Sequence, residues 1–168
     1  DYGMSLKFPN ESLIIALLIV QFIAFPAALI YGWMASKVGT KNGIMIGIMA
    51  YSIITFLGYF MTKVVHFYIL AILIGLFQGG IQALSRSLYA RLIPVGKEGE
   101  FFGFYNMLGK FAAVIGPVLM GWVTLVTGSV RFGILSILTL FIIGAILLSK
   151  VDFEEGKKLA ADFGKINY

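Results

Sequence analysis

The chain has no cysteine, little charge and no acidic residue inside any of its long apolar runs. Without cysteine there are no disulfides and no thiolate metal sites, and the redox compartment stays open. Charged residues make up 12% of the 168 positions, against about a quarter in an ordinary soluble domain. So few charges cannot cover the surface of a water-soluble fold of this size. One histidine, His66, lies at a boundary between runs. The sequence holds no paired acids, no His/Cys/Asp metal spacing, no Ser-His-Asp set and no phosphate loop. It therefore offers no basis for an enzyme and none for a bound cofactor or metal.

What is there instead is apolar. Hydrophobic residues reach 60% and the mean hydropathy is +0.95, so lipid is the fitting solvent. Five uncharged or nearly uncharged stretches are long enough to cross a bilayer: 12–34, 43–62, 67–91, 101–127 and 132–149. The first would cover roughly 34 Å at 1.5 Å per residue. Pro26 in its middle is expected to kink it. Gly43, Gly47, Ala50 and Ser52 in the second allow close helix approach. The expected class is all-α and polytopic, with a bundle over 1–150 and a mixed-charge tail, helical or disordered, over 151–168. Strands of about ten alternating residues, which a barrel would need, are missing. The net charge of +5 is scattered through the gaps between runs, with no basic helix face, so nucleic acid is not an expected partner.

Five crossings put the chain ends on opposite sides of the membrane. The loops at 36–42 and 86–100 and the tail carry Lys37, Lys41, Arg86, Arg91, Lys97, Lys150, Lys157, Lys158 and Lys165. The other side carries Lys7, Lys63 and Arg131. By the positive-inside rule the carboxyl terminus is then cytoplasmic. The chain opens at Asp1 with no initiator Met and no cleavable signal, so it is expected to be a piece of something longer.

Polar groups in this setting each ask for a reason, because burying them in hydrocarbon is costly. Gln78 and Gln82 are four apart and share a helix face, which Ser85 extends. They either line a solute cavity or bond between helices at about 0.6 kcal/mol each. Gly79 and Gly80 beside them admit a neighbouring backbone. Lys110 is the one formal charge well inside a run. Counted from Phe101 it lies about 14 Å deep, a position that demands water or an anionic partner; counted back from Thr127 it is shallow enough to snorkel. Asn106 is one turn earlier on the same face. Gly109, Gly116, Pro117 and Gly121 serve packing, a bend or a gating hinge. Arg86 and Arg91 anchor a helix end at headgroups, or Arg86 latches to Glu98 or Glu100. No acid lies at depth, and proton-driven carriers usually need one there; any coupling carboxylate is expected outside this stretch.

Three motifs then carry a resemblance. Gly32-Trp-Met-Ala-Ser-Lys-Val-Gly-Thr-Lys41 resembles the cytoplasmic loop motif G-x-x-A-D-[RK]-x-G-x-[RK] of major facilitator superfamily transporters, with Gly32, Lys37 and Gly39 at matching places. Gly75-Leu-Phe-Gln78-Gly79 resembles the G-x-x-Q-G of the fourth helix of a half. Gly109 to Gly121, around Gly116-Pro117, resembles the glycine-proline motif of the fifth. The run from Gln78 to Gly121 is similar to the vacuolar amino-acid effluxers linked to autophagy and their bacterial relatives. The resemblance implies helices eight to twelve of twelve, a partial half-bundle lacking helix seven and the amino-terminal half. It also implies alternating access about a central cavity. Ser36 departs from the pattern by standing where the motif has Asp, which puts the latch of this half in doubt.

The function expected is therefore a share in secondary transport of a small solute, amino acids by resemblance, with Gln78, Gln82, Asn106 and Lys110 at the cavity and Gln21 as an outsider. Gly32, Lys37, Gly39, Arg86, Gly116 and Pro117 would gate or pack. Partners would be the solute, the bilayer and the absent amino-terminal half. The membrane would be the plasma membrane of a bacterium or the vacuolar membrane of a fungus. The alternative is a non-transporting scaffold whose polar face is filled by a protein neighbour.

Overall fold

A computed structural model describes residues 9–166, with side chains to residue 163; Lys7 and the side chain of Lys165, counted in the charge balance above, lie outside these limits. The described residues form six helices and no strand. They are α1 (Asn10–Val38), α2 (Thr40–Tyr59), α3 (Val64–Ala90), α4 (Glu98–Thr127), α5 (Val130–Lys150) and α6 (Phe153–Ile166). The first five are long and apolar enough to cross a membrane. Phe22 is 79% exposed and Leu125 is 85% exposed. Large apolar side chains so bare are stable only against lipid or another apolar surface, and the chain is an integral membrane protein.

The helix ends follow local chemistry. α1 and α2 are separated by Gly39 alone, whose φ of 89° lies in the region that glycine tolerates and other residues rarely do. The loop expected at 36–42 is thus almost wholly helical. α2 stops at Tyr59, short of the expected Thr62, and α3 starts at Val64, so His66 stands in a helical first turn rather than a loop. Glu98 and Glu100 lie in the first turn of α4, where carboxylates offset the positive helix end. Gly128 closes α4 in the left-handed conformation, as a helix C-cap commonly does. Asp152 Oδ1 accepts the backbone N–H of Glu154 and Glu155, opening α6. Both α1 and α4 run on as helix through their prolines, Pro26 and Pro117.

Packing is uneven. α1 lies along α3, α3 along α2, α2 along α5, and α5 along α4. The α1–α3 seam is made of small residues: a Cβ at Gly79 would meet the Ala24 carbonyl oxygen at 2.7 Å and one at Gly75 the Val20 carbonyl oxygen at 3.0 Å. Gly43 and Gly47 play the same part between α2 and α3, against Leu84 and Ile81. Without a hydrophobic effect to drive helices together in lipid, such close contact is a main source of cohesion.

Tyr31 sits at the centre of this corner, 5% exposed. Its ring lies against Gly80 and edge-on to Phe77 at 5.9 Å, and its hydroxyl donates to the Gly43 carbonyl at 2.6 Å. Tyr31, near the end of the first long run, is the joint of α1, α2 and α3. Two long contacts fix the ends of the bundle. Lys41 Nζ donates to the Ser149 and Val151 carbonyls at 3.0 and 2.8 Å, at the carboxyl end of α5 where a cation is favoured. At the opposite end Arg131 Nη2 donates to the Met61 carbonyl at 3.3 Å.

Candidate functional site

On α3, Gln78, Gln82, Ser85 and Tyr89 fall within an arc of roughly 60° at 100° per residue. Gly75 and Gly79 of the same helix face α1, and Ile81 and Leu84 face α2. The polar arc is the side of α3 that neither neighbour covers. Gln82 is exposed and Gln78 half-buried. Among the described residues neither side chain has a hydrogen-bond partner.

On α4 the side chains sort by size as well as polarity. Gly99, Gly103, Asn106, Lys110, Pro117 and Gly121 share an arc of roughly 60°, and Phe104, Phe111, Val118, Trp122 and Leu125 share the next. No residue of α4 is buried. Among the described residues this helix packs chiefly on α5. There Met120 and Thr124 meet Gly133, whose Cβ would lie 2.8 Å from the Met120 carbonyl oxygen. Asn106 and Lys110 are exposed and unpartnered among the described residues.

The α3 arc touches α4 at one end, through Tyr89. Tyr89 stacks on Tyr105 with ring centroids 4.8 Å apart and contacts Phe102 at 6.0 Å. Its hydroxyl donates to the Phe101 carbonyl at 3.0 Å. The Arg86 guanidinium lies 5.8 Å from the Phe102 ring centroid, an attraction worth about 0.5–1 kcal/mol when exposed. Beyond this aromatic joint α3 and α4 do not pack on one another. Gln78 and Gln82 stand on α3 and Asn106 and Lys110 on α4, with no hydrogen bond joining the two pairs among the described residues. Tyr89, Phe102 and Tyr105 were not singled out from the sequence; their clue was aromatic spacing at the two ends of the loop from 91 to 97.

The remaining candidates divide. The latch between Arg86 and Glu98 or Glu100 is not formed. Glu100 pairs with Lys97 at 2.9 Å, and Glu98 accepts the Gly96 N–H at 3.2 Å, because partners within a turn are nearer than a guanidinium across the loop. Lys37 lies 3.8 Å over the Trp33 ring. Ser36, in the place of the motif Asp, donates to the Trp33 carbonyl of its own helix. Gly32 and Gly116 are open: a Cβ there would meet nothing within 4 Å. Gln21 is exposed on α1. No group of three His, Cys, Asp or Glu is placed to hold a metal among the described residues.

An integral membrane bundle of five long apolar helices is the class these helices define. The chain belongs to the vacuole effluxer Atg22-like family, which matches residues 3–161. One relative, named an uncharacterized MFS-type transporter YxiO, comes from Bacillus subtilis (strain 168). It is 42% identical over 154 residues, covering 92% of this chain and 36% of the relative. Autophagy-related protein 22 of Vanderwaltozyma polyspora is 35% identical over 99 residues, 59% of this chain and 19% of that protein. Autophagy-related protein 22 of Saccharomyces cerevisiae (strain YJM789) is 30% identical over 99 residues, with the same coverage of 59% and 19%. The chain thus spans 36% of the bacterial relative's length and 19% of these fungal relatives' lengths. No solved structure matches it.

Proposed function

We propose that this chain forms the carboxyl-terminal part of a secondary transporter that moves a small solute, amino acids being the first class to test, by alternating access. In this reading residues 1–150 form the membrane bundle and 151–168 the cytoplasmic tail. The unpartnered polar arcs of α3 and α4 are this chain's share of the lining of the solute path, and the rest of the transporter supplies the remainder. The single observation that carries this is the pairing of two facts: Gln78, Gln82, Asn106 and Lys110 have no protein partner among the described residues, and they lie on the faces that no helix covers. Polar groups left bare at membrane depth are stable when they meet water or solute. Lys110 supplies a positive charge for a carboxylate, and Gln78 and Gln82 supply amide donors and acceptors from α3. The names of the relatives, a transporter and vacuole effluxers, support the same reading.

The test is solute flux in proteoliposomes that contain the full-length parent, screened over amino acids with and without a proton gradient. Lys110→Met is expected to lower flux at least tenfold with the protein still inserted. Flux unchanged by that substitution removes Lys110 from the path. A parent that moves no solute, yet co-purifies with a protein seated on the polar arcs, would establish the scaffold reading instead.

A further inference from the structure

At the end of the bundle away from Arg131 and Met61, a cavity of about 870 Å³ lies among the ends of α1, α3 and α5 and the starts of α2 and α6. Lys41, Arg91, Lys150 and Lys157 line it, with Asp152 and Glu154 as the only acids. Four cations against two carboxylates leave a surplus of two positive charges. The acids are already engaged: Glu154 pairs with Lys157 at 2.8 Å, and Asp152 Oδ1 accepts two backbone N–H groups of α6. Lys41 is held by two carbonyls. The side chains of Arg91 and Lys150 come from different helices and have no ion-pair or hydrogen-bond partner among the described residues. Both are exposed into the same cavity.

A second cavity of about 690 Å³ shares Val151 and Asp152 with the first. Its walls are mainly apolar: Leu92 and Phe101 from the α3–α4 side, Leu159 and Phe163 from α6. Leu159 and Phe163 are one turn apart on α6, and 64% and 56% exposed. A basic chamber beside a greasy groove, at the membrane boundary, has the polarity of a phospholipid. We propose that the basic cavity holds the phosphate of an anionic phospholipid, with part of an acyl chain in the adjoining groove. Arg91 would grip the phosphate through its planar fork, the geometry that suits bidentate phosphate binding. Lys150 adds charge from the opposite wall, and basic pockets between membrane helices commonly take lipid headgroups. The site is separate from the polar arcs of α3 and α4 and does not depend on the transport reading.

The experiment is native mass spectrometry of the full-length parent in detergent. Phosphatidylglycerol and phosphatidylcholine with identical acyl chains are offered in turn, and inorganic phosphate is added as competitor. Phosphatidylglycerol is expected to be retained at least tenfold over phosphatidylcholine. In Arg91→Gln/Lys150→Gln the preference should fall to near parity, and in Lys63→Gln, at the other end of the bundle, it should persist. Inorganic phosphate should leave the retained lipid in place. If phosphate itself binds, displaces the lipid and is lost in the double variant, the lipid source is overturned and a soluble phosphate takes its place. Should the double variant aggregate, Leu159→Gln, which keeps every cation, is expected to lower retention several-fold; unchanged retention there sinks the groove. Equal retention of both lipids by the wild type, with no phosphate bound, overturns the site altogether.

Discussion

The glycines of α3 and those of α4 look alike in sequence and behave in opposite ways. Gly75, Gly79 and Gly80 are filled in by α1: a Cβ at any of them would run into the Val20 or Ala24 carbonyl or the Tyr31 ring. Gly103, Gly109, Gly116 and Gly121 meet nothing within 4 Å. A missing Cβ lets another helix approach, but it does not say whether one does. On α3 the glycine face is packed and the polar face is bare. On α4 the packed strip is narrow, and the small, polar and bulky faces are all bare. The half of the bundle built on α1, α2 and α3 therefore supplies cohesion, and α4 supplies uncovered chemistry.

That contrast can be broken, most forcefully at the glycines. Gly80→Leu drives a side chain into Tyr31 and is expected to cost about 3 kcal/mol or more, read as loss of the monodisperse peak in fluorescence-detected size exclusion of this chain. Gly116→Leu in the same chain should shift stability by less than about 0.5 kcal/mol. Equal damage from both would mean that α4 is covered after all, and the division above would fail. In the larger transporter proposed above, the same pair of substitutions sharpens the point: a penalty at Gly116 that arises only there would map where further helices seat.

Smaller effects probe the joint itself. Tyr31→Phe keeps the ring against Gly80 and Phe77 but removes the hydroxyl that reaches the Gly43 carbonyl. The loss should be about 1 kcal/mol, seen as a lowered melting temperature. A substitution with no effect would show the bond to be incidental to the packing. Smallest is Lys41→Met, which frees the last carbonyls of α5 and should cost about 0.5 kcal/mol overall. Its clearer sign is local: faster amide exchange at 148–156, with the α1–α3 seam unchanged. Exchange that rises evenly along the chain would deny Lys41 its role as a tie between the α1–α2 turn and the tail.

Much of the architecture was legible before any coordinates, because lipid imposes a simple rule on a chain: every backbone polar group must be paired within its own helix. Long uncharged runs broken by Gly, Pro and charge leave few alternatives, and the five long helices follow. The boundaries were less legible. Gly39 alone makes a turn where the sequence suggested a seven-residue loop, since one positive φ suffices. The polar residues were legible as anomalies at depth, yet their arrangement was not. The sequence favoured a cavity only slightly over a bond to another helix for Gln78 and Gln82, and the arc's exposure depends on how α1 and α2 sit around α3. Nothing in the residue pattern marked Tyr31 as the central joint, because the helices it ties meet only in the fold. Lys41 read as one more flanking cation and became the cap of a helix more than a hundred residues away.

By itself the sequence determined the solvent, the helices and their up-and-down succession, all of which follow from local composition and from the cost of an unpaired peptide group in hydrocarbon. Which faces are filled and which stay bare was decided by tertiary structure alone. Contact between helices in lipid depends on shape at distances of a few ångströms, and residues far apart in the chain set that shape together.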